Sequence, residues 1–208
     1  MAKQSFSSEE VRKRATEAIK QIESVTSAEV VVAVRRASGF YRHADYLFGF
    51  AVSLLVLCVL LVHPQPFEIL LFPVEVTLGF VVGAFVCSRF SPLRRLLSGK
   101  KRMEENVLKG AHATFHEMGV SHTTGRTGLL IYVSLFERRA EVVLDMGVLA
   151  ADPGPEFMAI REKLRQAVRR LDPEAFLEAM LAMGPLLEVV LPRSEDDVNE
   201  LPDEVCAA

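Results

Sequence analysis

The chain has 208 residues, 50% of them hydrophobic, and a formal net charge of -3. That balance supplies no overall basic field, which excludes general nucleic-acid binding as a compositional expectation. Of three cysteines, Cys58 and Cys87 lie inside long apolar runs and Cys206 lies in the tail, an arrangement that suits a reducing compartment and neither a disulfide framework nor cysteine metal ligation.

The opening MAKQSFSSEEVRKRATEAIK has no apolar h-region, so no cleavable signal peptide is expected and the N-terminus is expected to stay cytoplasmic. Ser7 can cap a helix with Glu10 as its capping-box partner, followed by one apolar stripe of Val11, Ala15, Ala18, Ile19, Ile22 and Val25. The valine-rich AEVVVAV that follows reads as a central strand covered on both faces.

Residues 46–62 and 67–87 form two apolar runs without Lys or Arg, separated by HPQP. At 1.5 Å per residue they reach roughly 26 and 32 Å, against a hydrocarbon core of about 30 Å. A short link with two prolines predicts a tight turn and an antiparallel hairpin that crosses and returns. Pairing the runs about that link sets Glu75 opposite Ser53 or Leu54. A carboxylate at mid-membrane costs about 2.5 to 3.5 kcal/mol and so calls for a partner, either Ser53 or a group on another molecule at the same depth. Alternatively, Pro73 delays the helix and leaves Glu75 nearer the outer interface. Gly79 and Gly83 form GxxxG, which allows close packing within the hairpin or between protomers.

After the hairpin, Ser91 and Pro92 open a short helix ended at Gly99, its leucines expected in the membrane interface and Arg94 and Arg95 at the headgroups. An amphipathic helix over 103–118 carries Val107, Leu108, Ala111, Phe115 and Met118 and stops at Gly119. GLLIYVSLF and AEVVLDM, separated by FERR, predict an antiparallel strand pair. Residues 155–171 and 173–191 read as two further helices, and the rest as an acidic, loosely ordered tail.

A helix between the first two strands makes them parallel. The expected fold is therefore α/β: a small sheet of two parallel strands plus an antiparallel hairpin strand, flanked by helices, with a two-helix transmembrane hairpin inserted after the first strand. The domain boundaries follow as 1–45 with 89–191 for a discontinuous cytoplasmic domain, 46–88 for the hairpin and 192–208 for the tail. Basic residues flank the runs but not the link, which predicts a two-pass protein of the cell inner membrane with both termini cytoplasmic.

TSAEVVVAVRRASG, FHEMGVSHTTGRTGLLIYVSLFERRAEVVLDMGV and LPRSEDDVNELPDEV resemble the TPM domain. That family is named for a thylakoid lumen phosphatase, a photosystem II protein and a modulator of levamisole receptors. The likeness is to its bacterial branch with paired transmembrane helices. It implies an α/β sandwich, and either acid phosphatase activity or assistance in assembling membrane complexes.

One end of the predicted sheet collects Glu29, Arg126, Thr127 and Asp145, with His122, Thr123 and Thr124 leading into it. These groups can hold a divalent cation or a phosphate; equally, Arg126 can bridge the two carboxylates and lock the strand ends. GRTG at 125–128 can cradle an anion on its backbone N–H groups or simply turn the chain. His112 and His116 stand four apart on a helix, a spacing that suits one metal, though packing against the apolar stripe accounts for them as well. GxSxG, P-loop, CxxC and HExxH motifs are absent. At the opposite end, Arg35, Arg36 and Arg138, with Arg89, Arg94, Arg95, Lys100, Lys101 and Arg102 after the second run, are expected to form a basic collar against anionic lipid. The functional expectation is a binding or assembly factor for another membrane-associated component, working without a cofactor, with membrane lipid and a membrane protein or a second copy as partners. The alternative is a membrane-tethered phosphatase assisted by a divalent cation.

Overall fold

The computed structural model describes residues 6, 8–63, 69–194, 199–201 and 205–207. The chain divides into two compact units, one of Met1–Ser38 with Glu104–Ala208, the other Gly39–Met103.

In the first unit, helix α1 (Glu9–Glu23) is capped by Ser8, whose side chain accepts from the Val11 N–H. The cap thus falls one residue later than expected, and Ser7 lies outside the described residues. Strand β1 (Glu29–Arg35) has six of its seven positions buried, as a doubly covered strand requires. It pairs in parallel with β2 (Gly128–Ser134), from Glu29 opposite Gly128 to Arg35 opposite Ser134. The antiparallel β3 (Arg139–Leu144) completes the predicted sheet. The strand pair turns at 135–138, one residue earlier than FERR suggested, with Arg138 at φ 52.

Alternation along the strands divides the core. Val30, Val32, Leu129, Ile131 and Val142 face α1 together with α7 (Gly154–Arg170), α8 (Pro173–Leu181) and α9 (Gly184–Val190), where Ile19, Phe157, Leu164, Phe176, Met180 and Leu187 pack against them. Val31, Ala33, Leu130 and Tyr132 face Val107, Ala111 and Phe115, which lie on a long amphipathic helix, α5 (Lys100–Glu117).

Three elements depart from expectation. The single helix over 173–191 is two, because Pro185 in the first turn of α9 has no N–H to continue α8. A six-residue helix, α6 (Met146–Ala151), follows β3 and is too short to show periodicity in the sequence. The tail, expected to be loosely ordered, supplies β4 (Cys206–Ala207), parallel to β1 at Ala33 and Val34.

The second unit holds α2 (Arg42–Val62), α3 (Phe72–Arg89) and the short α4 (Ser91–Ser98), which stops at Gly99 with φ 76. The first two are long and apolar enough to cross a membrane, and only 17% and 11% of their most apolar windows are buried. Except for His63, the HPQP link lies outside the described residues. The second run was expected to be helical from 67, but a 3-10 turn at Ile69–Leu71 precedes α3 and Pro73 sits in its first turn, where a missing N–H costs nothing.

Packing of α2 on α3 rests on small residues. A Cβ at Gly83 would stand 2.9 Å from Val52, one at Gly49 2.7 Å from the Phe80 carbonyl oxygen, and one at Gly79 2.9 Å from Val56. The GxxxG pair is therefore used within the hairpin. We expect Gly49→Val to force the helices apart and cost about 1–3 kcal/mol, read as a lowered thermal transition of the full chain in detergent micelles, whereas Val at the exposed Ala51 leaves the transition in place.

Candidate functional site

The end of the sheet where β1 and β2 begin does gather the predicted groups. Asp145, 3% exposed, receives two parallel bonds from Arg126, Nε to Oδ2 and Nη2 to Oδ1, both 2.9 Å. Its Oδ1 also accepts from the Met146 N–H at 2.8 Å, which starts α6. Arg126 holds a left-handed backbone at φ 54, and its carbonyl accepts from Gly147 N–H. A side chain at 147 would not fit there, because its Cβ would lie 2.4 Å from the Gly125 carbonyl oxygen. The paired Asp145 carboxylate raises the Arg126 guanidinium above its ordinary value, chiefly through their hydrogen bonds.

Glu29, 6% exposed, lies at the same end but takes different donors: the backbone N–H groups of Glu200 and Leu201, each at 3.3 Å. Thr127 N–H donates to Thr123 Oγ1 at 3.0 Å, and Arg126 N–H to the Thr123 carbonyl. An anion does sit on this loop, one residue upstream of GRTG, and it belongs to the chain itself. The Glu200 carboxylate accepts from Thr124 N–H and from Thr124 Oγ1 at 3.0 Å. Sequence reasoning missed Glu200, whose only signal is its place in an acidic tail.

His122 is exposed. His112 and His116 are exposed on α5, His116 edge-on to Phe115 with centroids 5.6 Å apart. Among the described residues no group of three or more His, Cys, Asp or Glu side chains is placed to hold a metal ion.

The opposite end holds a buried network that the sequence did not suggest. Glu137, in the FERR connection between the strands, is 4% exposed. Its Oε1 accepts from the Ser38 N–H at 2.8 Å, and its Oε2 accepts from Ser134 Oγ in a very short bond. Ser38 Oγ donates to Ser134 Oγ at 2.8 Å and lies 3.0 Å from the Tyr132 hydroxyl. Ser38 is the last residue of this unit before the chain enters the helical one. Beside the network, Arg36 is exposed and Arg35 and Arg138 are partly so.

Within the helical unit, Arg89, Lys100, Lys101 and Arg102 are exposed and Arg95 is half-buried. Arg94, expected at the headgroups, instead bonds Asp45 Oδ2 at 2.8 Å. Asp45 is 7% exposed, and the pair ties the first turn of α2 to α4. Ser53 does not face Glu75: its hydroxyl donates to the Phe50 carbonyl at 2.8 Å, and its Cα lies 3.5 Å from a Cβ built at Gly79. The expected pairing assumed a link of four residues, and the longer stretch between Val62 and Phe72 shifts the register by about one helical turn. Among the described residues Glu75 Oε2 is buried without a hydrogen-bond partner.

Fold and site together define an α/β domain interrupted by an apolar helical pair. No family model matches the chain, and no curated protein does. Among solved structures it is similar to the BA42 protein of the psychrophilic bacterium Bizionia argentinensis, determined by NMR. The TM-score is 0.59 with 16% identity over 98% of this chain and 96% of that one, a likeness of fold.

Asp145→Ala is expected to remove the α6 cap, at about 1–2 kcal/mol for that bond alone, and to lower the unfolding midpoint; an unchanged midpoint would show that the clamp is not structural. Burial pushes the Tyr132 phenol up from its usual value, against the pull of the Ser38 hydrogen bond. Its contribution is therefore complete below about pH 10 and lost as pH rises through the folded value. Tyr132→Phe should flatten the alkaline fall in stability above about pH 10; parallel wild-type and variant curves would contradict this.

Proposed function

We propose that this chain is a two-pass protein of the cell inner membrane, both termini cytoplasmic, whose α/β domain is TPM-like and binds or helps assemble another membrane-associated component. The observation that carries this is the state of the two carboxylates best placed for chemistry. Asp145 is engaged by Arg126 and a helix N–H, and Glu29 by backbone N–H groups of the tail. Asp145, held at 2.8 to 2.9 Å by three donors, serves architecture, and Glu29, which accepts backbone N–H groups of an extended segment, suits a protein ligand better than a small substrate.

Membrane insertion is supported by the uncovered apolar surface of α2 and α3, since a core helix of a soluble protein would be mostly buried. Exposed Arg89, Lys100, Lys101 and Arg102 suit an anionic leaflet, at about 1 kcal/mol each near the surface. On α6, Met146 and Leu149 are 65% and 55% exposed and three residues apart, so they share one face. Apolar side chains left uncovered in this way suit contact with another protein.

Affinity capture of the full chain from detergent-solubilised membranes is expected to yield a stoichiometric membrane-associated partner. Its repeated absence, together with phosphate release from phosphomonoesters in the presence of magnesium, manganese or calcium that Asp145→Ala abolishes, would instead establish the tethered phosphatase. Fluorescent-protein fusions at each terminus should both fluoresce in cells, and a dark fusion at either end would overturn the topology.

A further inference from the structure

The tail is seated on the outer edge of β1 by three kinds of contact. Its backbone N–H groups at Glu200 and Leu201 bond Glu29. The Glu200 carboxylate is held by Thr124. Cys206 and Ala207 extend the sheet in parallel at Ala33 and Val34. Leu201 packs against the core on one face of the sheet and Val205 against the core on the other. The edge therefore offers a strand ladder, an apolar contact on each face, a carboxylate for backbone donors and a donor pair for an acid.

These are the elements by which a sheet edge recognises an extended peptide. The ladder and Glu29 read backbone, which any extended chain presents, while specificity lies with the acid and the apolar side chains. The cis tail is lightly held, since its ladder covers two of the seven residues of β1 and its bonds to Glu29 are 3.3 Å.

We propose that the outer edge of β1 is a strand-addition site for an extended segment of a partner protein in which an acidic residue is followed by leucine and, four residues on, by valine. The tail occupies it in cis and gives way to that segment. The inference rests on the binding function proposed above and names the surface and the partner chemistry that would serve it.

The test uses the full chain in detergent and a fluorescent synthetic peptide of residues 199–207. Wild type should bind it weakly, because the tethered tail competes at a high effective concentration. A chain whose tail is released by Leu201→Asp with Val205→Asp should bind about tenfold tighter or better, and adding Glu29→Gln should remove about tenfold of that. Equal binding by wild type and the released chain, or no binding by a released chain that keeps its cooperative transition, would overturn the proposal. A second measurement leaves the tail contacts intact. In a chain carrying Ala33→Cys and Cys206→Ser, the thiolate at position 33 should attack a peptide whose cysteine is activated as its 2-thiopyridyl disulfide, giving the mixed disulfide and releasing 2-thiopyridone, and an activated peptide with aspartate for its leucine and its valine should not react there. Failure to form it overturns the proposal too. A partner captured from membranes while the peptide fails would sink the strand-addition site alone, and a bound peptide without any captured partner would count against the assembly function and not against the site.

Discussion

Pairing of Glu29–Arg35 with Gly128–Ser134 is the constraint on which the rest of the structure depends. The two strands are separated in sequence by the whole helical insertion, yet nearly every residue in both is buried. Buried backbone groups must find partners, and here they find each other. Closing so long a loop is affordable because its entropic cost grows only logarithmically with length. Once the pair forms, α1 on one side of the insertion and α7, α8 and α9 on the other share a core on one face, and α5 covers the second face.

The polar groups at the two ends of that pair follow from its burial. At the end where the strands begin, Arg126 and the tail's N–H groups satisfy Asp145 and Glu29. At the other, Ser38, Tyr132 and Ser134 surround Glu137. Leaving such groups unpaired would cost several kcal/mol each, so satisfaction is a condition of the fold as well as a candidate for chemistry. The chain leaves the α/β unit at Ser38, a member of this network.

In the helical unit burial makes the same demand, and it is met in part. Asp45 is buried: its Oδ2 meets Arg94 of α4, while its Oδ1 lacks a hydrogen-bond partner among the described residues. Glycines bring α2 and α3 close, while their other faces expose Leu55, Leu61, Leu78 and Phe85. Those faces are apolar and uncovered in the structure. Glu75 has one buried oxygen lacking a hydrogen-bond partner among the described residues.

The α/β class, the parallel and antiparallel strand order, and the interruption after β1 by two apolar helices were legible in the chain, because periodicity and runs of valine or leucine are local properties that burial imposes residue by residue; the bounds of those helices were not. The split of α8 from α9 has a local signal in Pro185, whose missing N–H interrupts the apolar pattern. Partners were not legible. Whether Arg126 bridges both Glu29 and Asp145 or meets Asp145 while the tail meets Glu29, whether Arg94 meets a headgroup or Asp45, and whether Ser53 faces Glu75 or Gly79 depend on register and on where each chain end returns. A shift of one residue in a strand, or one turn in a helix, exchanges every neighbour. The tail shows this most plainly: its composition marked it as acidic and loose, and only the unpaired edge of a completed sheet gave its backbone somewhere to bond.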